Sequence, residues 1–108
     1  MKYALLAYSS PGVDQRGPIR PDIAEALAGP AVKSWVRLQP PESATTVSES
    51  GGKTLLTDGP FVDSKEYLGG LIVIEAANLD EALAVAADFQ RLMRDFGKIE
   101  VRPILEEG

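Results

Sequence analysis

Asp58, Lys65, Glu66 and two tyrosines, Tyr3 and Tyr8, are the side chains of this sequence whose types and spacing could do chemistry. Asp58 opens the tetrapeptide Asp58-Gly59-Pro60-Phe61. Asp and Gly form turns, and Pro60 fixes its own φ while pushing Gly59 toward extended or glycine-only conformations, so the turn is strongly specified. A carboxylate held in such a turn at a cleft can have its pKa moved by burial and serve as a general base or hydrogen-bond acceptor. The same carboxylate can instead cap its own turn by accepting from the backbone N–H of Phe61 or beyond. Lys65 could set an ammonium near Asp58, although adjacent opposite charges such as Lys65 and Glu66 also occur as a solvated pair. Tyr3 and Tyr8 would be alternative electrophilic partners. Five positions apart on one strand, they point to opposite faces, so only one can line a given cleft.

Gly69-Gly70 either lets a ligand approach the backbone or marks a bulge or tight packing. Trp35 reads as a core or interface side chain, with ligand stacking as the alternative. The sequence holds no histidine and no cysteine. That removes the usual near-neutral general base, the commonest metal ligand, any thiolate nucleophile and any disulfide, so no metal or cofactor is expected. No serine lies in a nucleophile-elbow pattern, and no phosphate-cradling P-loop pattern occurs.

The elements that must position these groups belong to one domain, residues 1–108, of ordinary globular composition with 44% hydrophobic and 25% charged residues. No apolar run approaches the length of a membrane span. The N-terminal apolar stretch is too short for a signal-peptide core and reads as a strand, which with the absence of cysteine points to the cytoplasm. A net charge of −5 argues against a nucleic-acid partner. The charge is uneven, because Arg16, Arg20, Lys33 and Arg37 lie in the first 40 residues while most carboxylates follow. The four cations would attract a small anion there or form a solvated surface.

Strand signals cover residues 2–8, 33–38, 44–49, 53–57, 67–76 and 99–105, with the third and fourth forming a hairpin about Ser50-Gly51-Gly52. A short helix is expected at residues 22–28. A longer one runs over 79–96, opened by Asn78 as N-cap with Glu81 three residues on, and closed by Gly97 at C′. Leu79, Leu83, Ala86, Phe89 or Gln90, Met93 and Phe96 set its apolar face. Pro103 puts part of the last strand at an edge. The order β-α-β, hairpin, β-α-β predicts an α+β ferredoxin-like sandwich with the hairpin as an extension. Residues 71–74 are apolar on both faces of their strand while two helices cover one, so the other face is expected to pack on a second copy.

Met1-Lys2-Tyr3 with Leu5-Leu6, Leu38-Gln39-Pro40-Pro41, Ala44-Thr45-Thr46-Val47, Thr57 through Phe61, Lys65-Glu66, Leu68-Gly69-Gly70 and Val101-Arg102-Pro103 occur in this order. In these motifs the chain resembles the DGPF family of YCII-related proteins. The resemblance implies a dimeric α/β barrel, with a cleft between sheet and loops and no generally established reaction. Family members are often encoded near extracytoplasmic-function sigma factors, which adds such a factor as an implied partner. Related YCII proteins are proposed to use a His and Asp pair, which a chain without histidine cannot assemble. Family members also carry a longer helix between the first two strands, where residues 11–30 here are short and proline-rich.

Three functions are compatible with this reading. One is binding of a small molecule or partner near the turn, with Gly59, Pro60, Phe61, Gly69 and Gly70 as lining. Another is an isomerase- or lyase-like enzyme using Asp58 as base with Lys65, Tyr3 or Tyr8. The third is a regulatory role beside a sigma factor.

Overall fold

The computed structural model describes residues 1–10, 17–62, 65–93 and 97–108. Arg16, Arg94 and Phe96 lie outside them. The elements are β1 (Lys2–Ser9), α1 (Pro21–Leu27), β2 (Val32–Arg37), a 3₁₀ turn (Pro41–Ser43), β3 (Thr45–Ser50), β4 (Lys53–Asp58), β5 (Tyr67–Glu75), α2 (Leu79–Leu92) and β6 (Gly97–Pro103). Four strands form one sheet in the order β2-β5-β1-β6, and β3-β4 form a separate hairpin. Each neighbouring pair in the larger sheet is antiparallel. The β1-α1-β2 and β5-α2-β6 units therefore interleave, each leaving room for a strand of the other. This is the ferredoxin-like α+β fold expected from the sequence, with the hairpin as its extension.

Alternation decides which side chains the helices cover. Tyr3 and Leu5 of β1 stand opposite Ile74 and Ile72 of β5. These four join Leu27 of α1 and Ala82, Ala86 and Phe89 of α2 in the buried core. The intervening residues Leu6, Leu71 and Val73 occupy the uncovered face, joined by Val36, which pairs with Leu71 and is 52% exposed.

Asn78 caps α2 as expected, its Oδ1 accepting from the Glu81 N–H at 2.9 Å. The buried stripe of α2 keeps the expected Ala86 and Phe89 but differs from the expected face at its start. Ala82, Ala86 and Phe89 face the sheet, while Leu79 and Leu83 stay nearly half exposed. Taking Ala82 in place of Leu79 and Leu83 puts small alanines where the helix meets the sheet, ahead of the large ring of Phe89.

Gly97 does not close the helix. The C-cap is Met93, and Gly97 is the first residue of β6, with φ at +142°. Pro103 ends β6, which is an edge strand, in line with its missing donor.

The hairpin stands apart from this core. All of β4 and five of the six residues of β3 are exposed. The radius of gyration is 15.6 Å, against about 13 Å for a compact chain of this length, which reflects the protruding arm.

Candidate functional site

Two register irregularities shape the end of the sheet where β1 and β2 finish and β5 and β6 begin. Ala7 pairs with Gly70 but Tyr8 pairs with Leu68, so Gly69 is the extra residue of a bulge in β5. The second irregularity lies in β2 between Val32 and Ser34. It lets Val32, opposite Ile74, and Trp35, opposite Ile72, both face the helices, although three positions would otherwise put them on opposite sides. Arg37 then pairs with Gly70 on the helix-facing side, where glycine leaves the sheet bare. A Cβ on Gly70 would stand 3.0 Å from the Val36 carbonyl oxygen, so the position is tight as well as bare.

Over this patch the helices leave a cleft of about 160 Å³. Its floor is Ala7, Gly69, Gly70 and Ile72, one wall is Trp35 and Arg37, and the roof is Ile19, Ile23, Leu27, Gln90 and Met93. Most of the lining is apolar, with a few polar groups converging on it, the usual make-up of a small-molecule site.

Hydrogen bonds hold the polar groups in place. Arg20 forks onto the Asp22 carboxylate at 3.1 and 2.7 Å and donates to the Leu92 carbonyl at 2.9 Å, tying the start of α1 to the end of α2. The Arg20 hydrogen bond, helped by the Ile23 N–H, holds the Asp22 carboxyl below its ordinary value. Arg37 Nη2 donates to the Gly17 carbonyl at 3.0 Å, across the cleft mouth from its own strand. Gln90 Nε2 donates to the Gly97 carbonyl at 2.7 Å, joining the last turn of α2 to the start of β6.

The Asp58-Gly59-Pro60-Phe61 turn lies elsewhere. Asp58 ends β4 and is exposed, on the hairpin face that carries Thr45, Val47 and Leu56. The turn is closed by the Gly59 N–H donating to the Ala44 carbonyl and by Thr46 Oγ1 donating to the Gly59 carbonyl, both at 2.8 Å. Gly59 has φ at +97°, the glycine-only one of the two conformations, extended or glycine-only, open to it before Pro60. Among the described residues none hydrogen-bonds the Asp58 carboxylate. Phe61 is 86% exposed.

A second, more open depression on the uncovered side of the sheet gathers Tyr8, Leu38, Pro41, Pro60, Val62 and Leu68. Tyr8 and Pro60 thus meet, while Asp58 and Lys65 line neither hollow. Lys65 is exposed, and Glu66 pairs with Lys98 at 3.4 Å. Tyr3 is buried in the core, its hydroxyl directed at Met1 Sδ. The carboxylate, the lysine and the two tyrosines are therefore not gathered around one cavity. Gly69 is the bulge residue and Gly70 is tightly packed, the bulge-or-packing reading of the pair, and both lie on the cleft floor. Trp35, read from the sequence as core or interface with ligand stacking as the alternative, stands half exposed on the cleft wall, while Gln90 and Met93 have no motif to announce them and Arg20 and Arg37 are signalled only by the cations of the first 40 residues.

Fold and cleft together define a small ferredoxin-like α+β protein with a helix-roofed hollow at one end of its sheet. The YCII-related domain family matches residues 1–107, and the chain belongs to that family. It is also similar to an uncharacterized protein of Rhizobium meliloti (strain 1021), with 44% identity over 68 residues that make up 63% of this chain and 55% of that protein. The match thus spans little more than half of the relative's length. Among the described residues no helix is long and apolar enough to cross a membrane, and no group of three or more acidic residues could hold a metal ion.

Proposed function

We propose that this YCII-related protein binds a small molecule in the helix-roofed cleft. The supporting observation is the cleft itself, about 160 Å³ of mostly apolar lining with an indole and two guanidiniums at its rim. An apolar protein cavity of about 150 Å³ is enough for a benzene ring, so the size suits a compact organic ligand. Backbone NMR with small aromatic and branched aliphatic probes tests this. Shift changes are expected at Gly70, Gln90 and the Trp35 indole, and to be the same in an Asp58→Asn variant whose stability stays within about 0.5 kcal/mol of the parent. Changes confined to the hairpin and abolished by Asp58→Asn would instead favour a site at the turn, with Asp58 as base or acceptor.

A second reading, homodimer formation, is supported by the uncovered sheet face. Leu6, Val36, Leu71 and Val73 form an apolar strip there that, among the described residues, no helix covers. In the dimer two such faces stack. Val36→Glu is expected to give a monomer by sedimentation equilibrium while the parent sediments as a dimer, because an unpaired carboxylate in a stacked interface is strongly disfavoured. A parent that sediments as a monomer at high micromolar concentration rejects this reading.

A further inference from the structure

The polar side chains of the cleft lining brace its walls against one another. Arg20, at the start of α1, forks onto Asp22 and donates to the Leu92 carbonyl at the end of α2. Arg37 of β2 donates to the Gly17 carbonyl across the mouth and has a further contact as well. Gln90 of α2 donates to the Gly97 carbonyl of β6. Lys98 belongs to the lining too, but its side chain is 78% exposed and pairs with Glu66, which lines the other depression. Ser9 is buried, and among the described residues no buried side-chain nitrogen or oxygen lacks a hydrogen-bond partner. The charged groups around the hollow are thus committed to acceptors of the protein itself.

An ion that enters such a hollow gives up its hydration. To replace it here, the ion would have to draw a cation out of a brace and loosen the walls that hold it. An uncharged molecule makes no such demand. Between the braces the lining is apolar, with Ile19, Ile23 and Ile72 on roof and floor. The remaining surfaces suit a ring. Gly69 and Gly70 leave their part of the floor without side chains, Trp35 on the wall is 42% exposed, and Met93 brings a thioether to the roof. Aromatic rings pair favourably with an indole, and a thioether sulfur contacts ring edges favourably. The volume of about 160 Å³ is also close to the roughly 150 Å³ of an apolar cavity that accepts benzene.

Building on the small-molecule reading above, we infer that the ligand is an uncharged molecule with a single aromatic ring, lying over the Gly69-Gly70 floor against Trp35 and under Met93. Trp35 is the recognition residue, and Arg20, Arg37 and Gln90 are positioning residues that hold the hollow open.

The chain holds a single tryptophan, so its fluorescence reports on the cleft wall alone. The experiment titrates four probes of one skeleton into the full-length protein at neutral pH: benzyl alcohol, its saturated counterpart cyclohexylmethanol, benzoate and benzylammonium. Trp35 emission and the amide shifts of Gly70 and Gln90 are followed together, and the amide shifts alone in Trp35→Phe and Trp35→Leu. Benzyl alcohol is expected to bind saturably, about threefold or more tightly than cyclohexylmethanol, the worth of one aromatic pair. It should also bind about tenfold or more tightly than either ion, the cost of imperfectly replaced hydration. Trp35→Phe should keep the preference for the ring. Trp35→Leu should erase it while leaving cyclohexylmethanol binding within about threefold. Either ion binding as tightly as benzyl alcohol overturns the inference of an uncharged ligand. Cyclohexylmethanol binding equally well, or a ring preference that survives Trp35→Leu, overturns the aromatic one. Both of these results leave the cleft reading standing. Silence from all four probes at millimolar concentration, with no amide shifts at the cleft, overturns cleft and ligand class together. If Trp35→Leu collapses the cleft, it loses cyclohexylmethanol as well, and the ranking of the probes on the parent and on Trp35→Phe then decides.

Discussion

A Gly97→Ala variant is expected to lose about 3 kcal/mol of stability or more, a large share of the roughly 5–15 kcal/mol that a domain of this kind possesses. The cause is steric and local. With φ at +142°, Gly97 occupies a conformation that residues with a Cβ rarely adopt, and that Cβ would stand 1.9 Å from the Tyr8 carbonyl oxygen and 2.8 Å from its carbon. Both are backbone atoms of β1, the strand at the centre of the sheet's pairing, so no side chain can rotate away to relieve the contact. The start of β6 would have to leave its partner Ser9, and the Gly97 carbonyl would be withdrawn from Gln90. Urea denaturation followed by circular dichroism measures the effect as a lowered midpoint. A loss below about 1 kcal/mol would mean that the β1–β6 junction can move without cost, and would remove the steric reason for glycine at this position. The cleft offers an independent reading, because Gln90 and Gly97 both line it. The variant should also blunt any response of Trp35 to cleft ligands.

Much of this architecture is legible in the order of the amino acids, because the devices involved are local. The apolar run at residues 71–74, the Thr- and Val-rich hairpin about Gly51 and Gly52, and Asn78 before Glu81 each carry their signal within a few residues. β5, the β3-β4 hairpin and α2 appear within one or two residues of their expected starts. What local reading misses depends on a partner. The bulge at Gly69 exists only relative to β1, and the slip in β2 only relative to β5, so neither leaves a mark in its own strand beyond the glycine pair. The stripe of α2 is a similar case. Ala86 and Phe89 are legible in it, but Leu79 and Leu83 are more hydrophobic than Ala82 and the sheet still selects Ala82, because the surface it offers favours small side chains at the contact. Gly97 has the spacing of a helix stop, and its role is set instead by the carbonyl of Tyr8, in a strand at the other end of the chain.

The same distinction explains which parts of the cleft are legible. The Asp58 turn is conspicuous because four consecutive residues specify its backbone, and the positive φ of Gly59 accords with that. Conspicuous sequence does not fix location, and the turn sits on the exposed arm. The cleft draws Ile19, Trp35, Gly70 and Gln90 from four separate segments, which only the interleaved β-α-β units bring together. No spacing rule links such positions, and the advance signals are separate ones, the glycine pair at 69–70, the indole of Trp35 and a basic first third in an acidic chain. Arg20 and Arg37 bring part of that basic segment to the cleft lining.

Phe89→Ala should be the most damaging side-chain truncation in the core, at about 3–5 kcal/mol. Phe89 is 3% exposed and is the one large side chain that α2 buries, the others being Ala82 and Ala86. Alanines bury little area each, so much of the apolar attraction between α2 and the sheet must come from this ring. Removing it leaves a cavity that its neighbours cannot fill without shifting the helix, whereas Phe89→Leu keeps most of the volume and should cost well under half as much. Equilibrium urea unfolding of the two variants separates these amounts, with an unchanged denaturant slope confirming that the folded and unfolded states remain comparable. If Phe89→Ala and Phe89→Leu lose the same stability, ring shape rather than buried volume governs the contact. A loss below about 1.5 kcal/mol for Phe89→Ala would mean that α2 is held mainly by its ends, through the Asn78 cap and the Gln90 to Gly97 hydrogen bond. The consequence reaches the cleft, since Gln90 on the last turn of α2 and Met93 at its C-cap follow Phe89 and form part of the roof. A helix loosened at Phe89 carries both with it, so Phe89→Ala should weaken ligand binding even at denaturant-free equilibrium, while Phe89→Leu should leave it nearly intact.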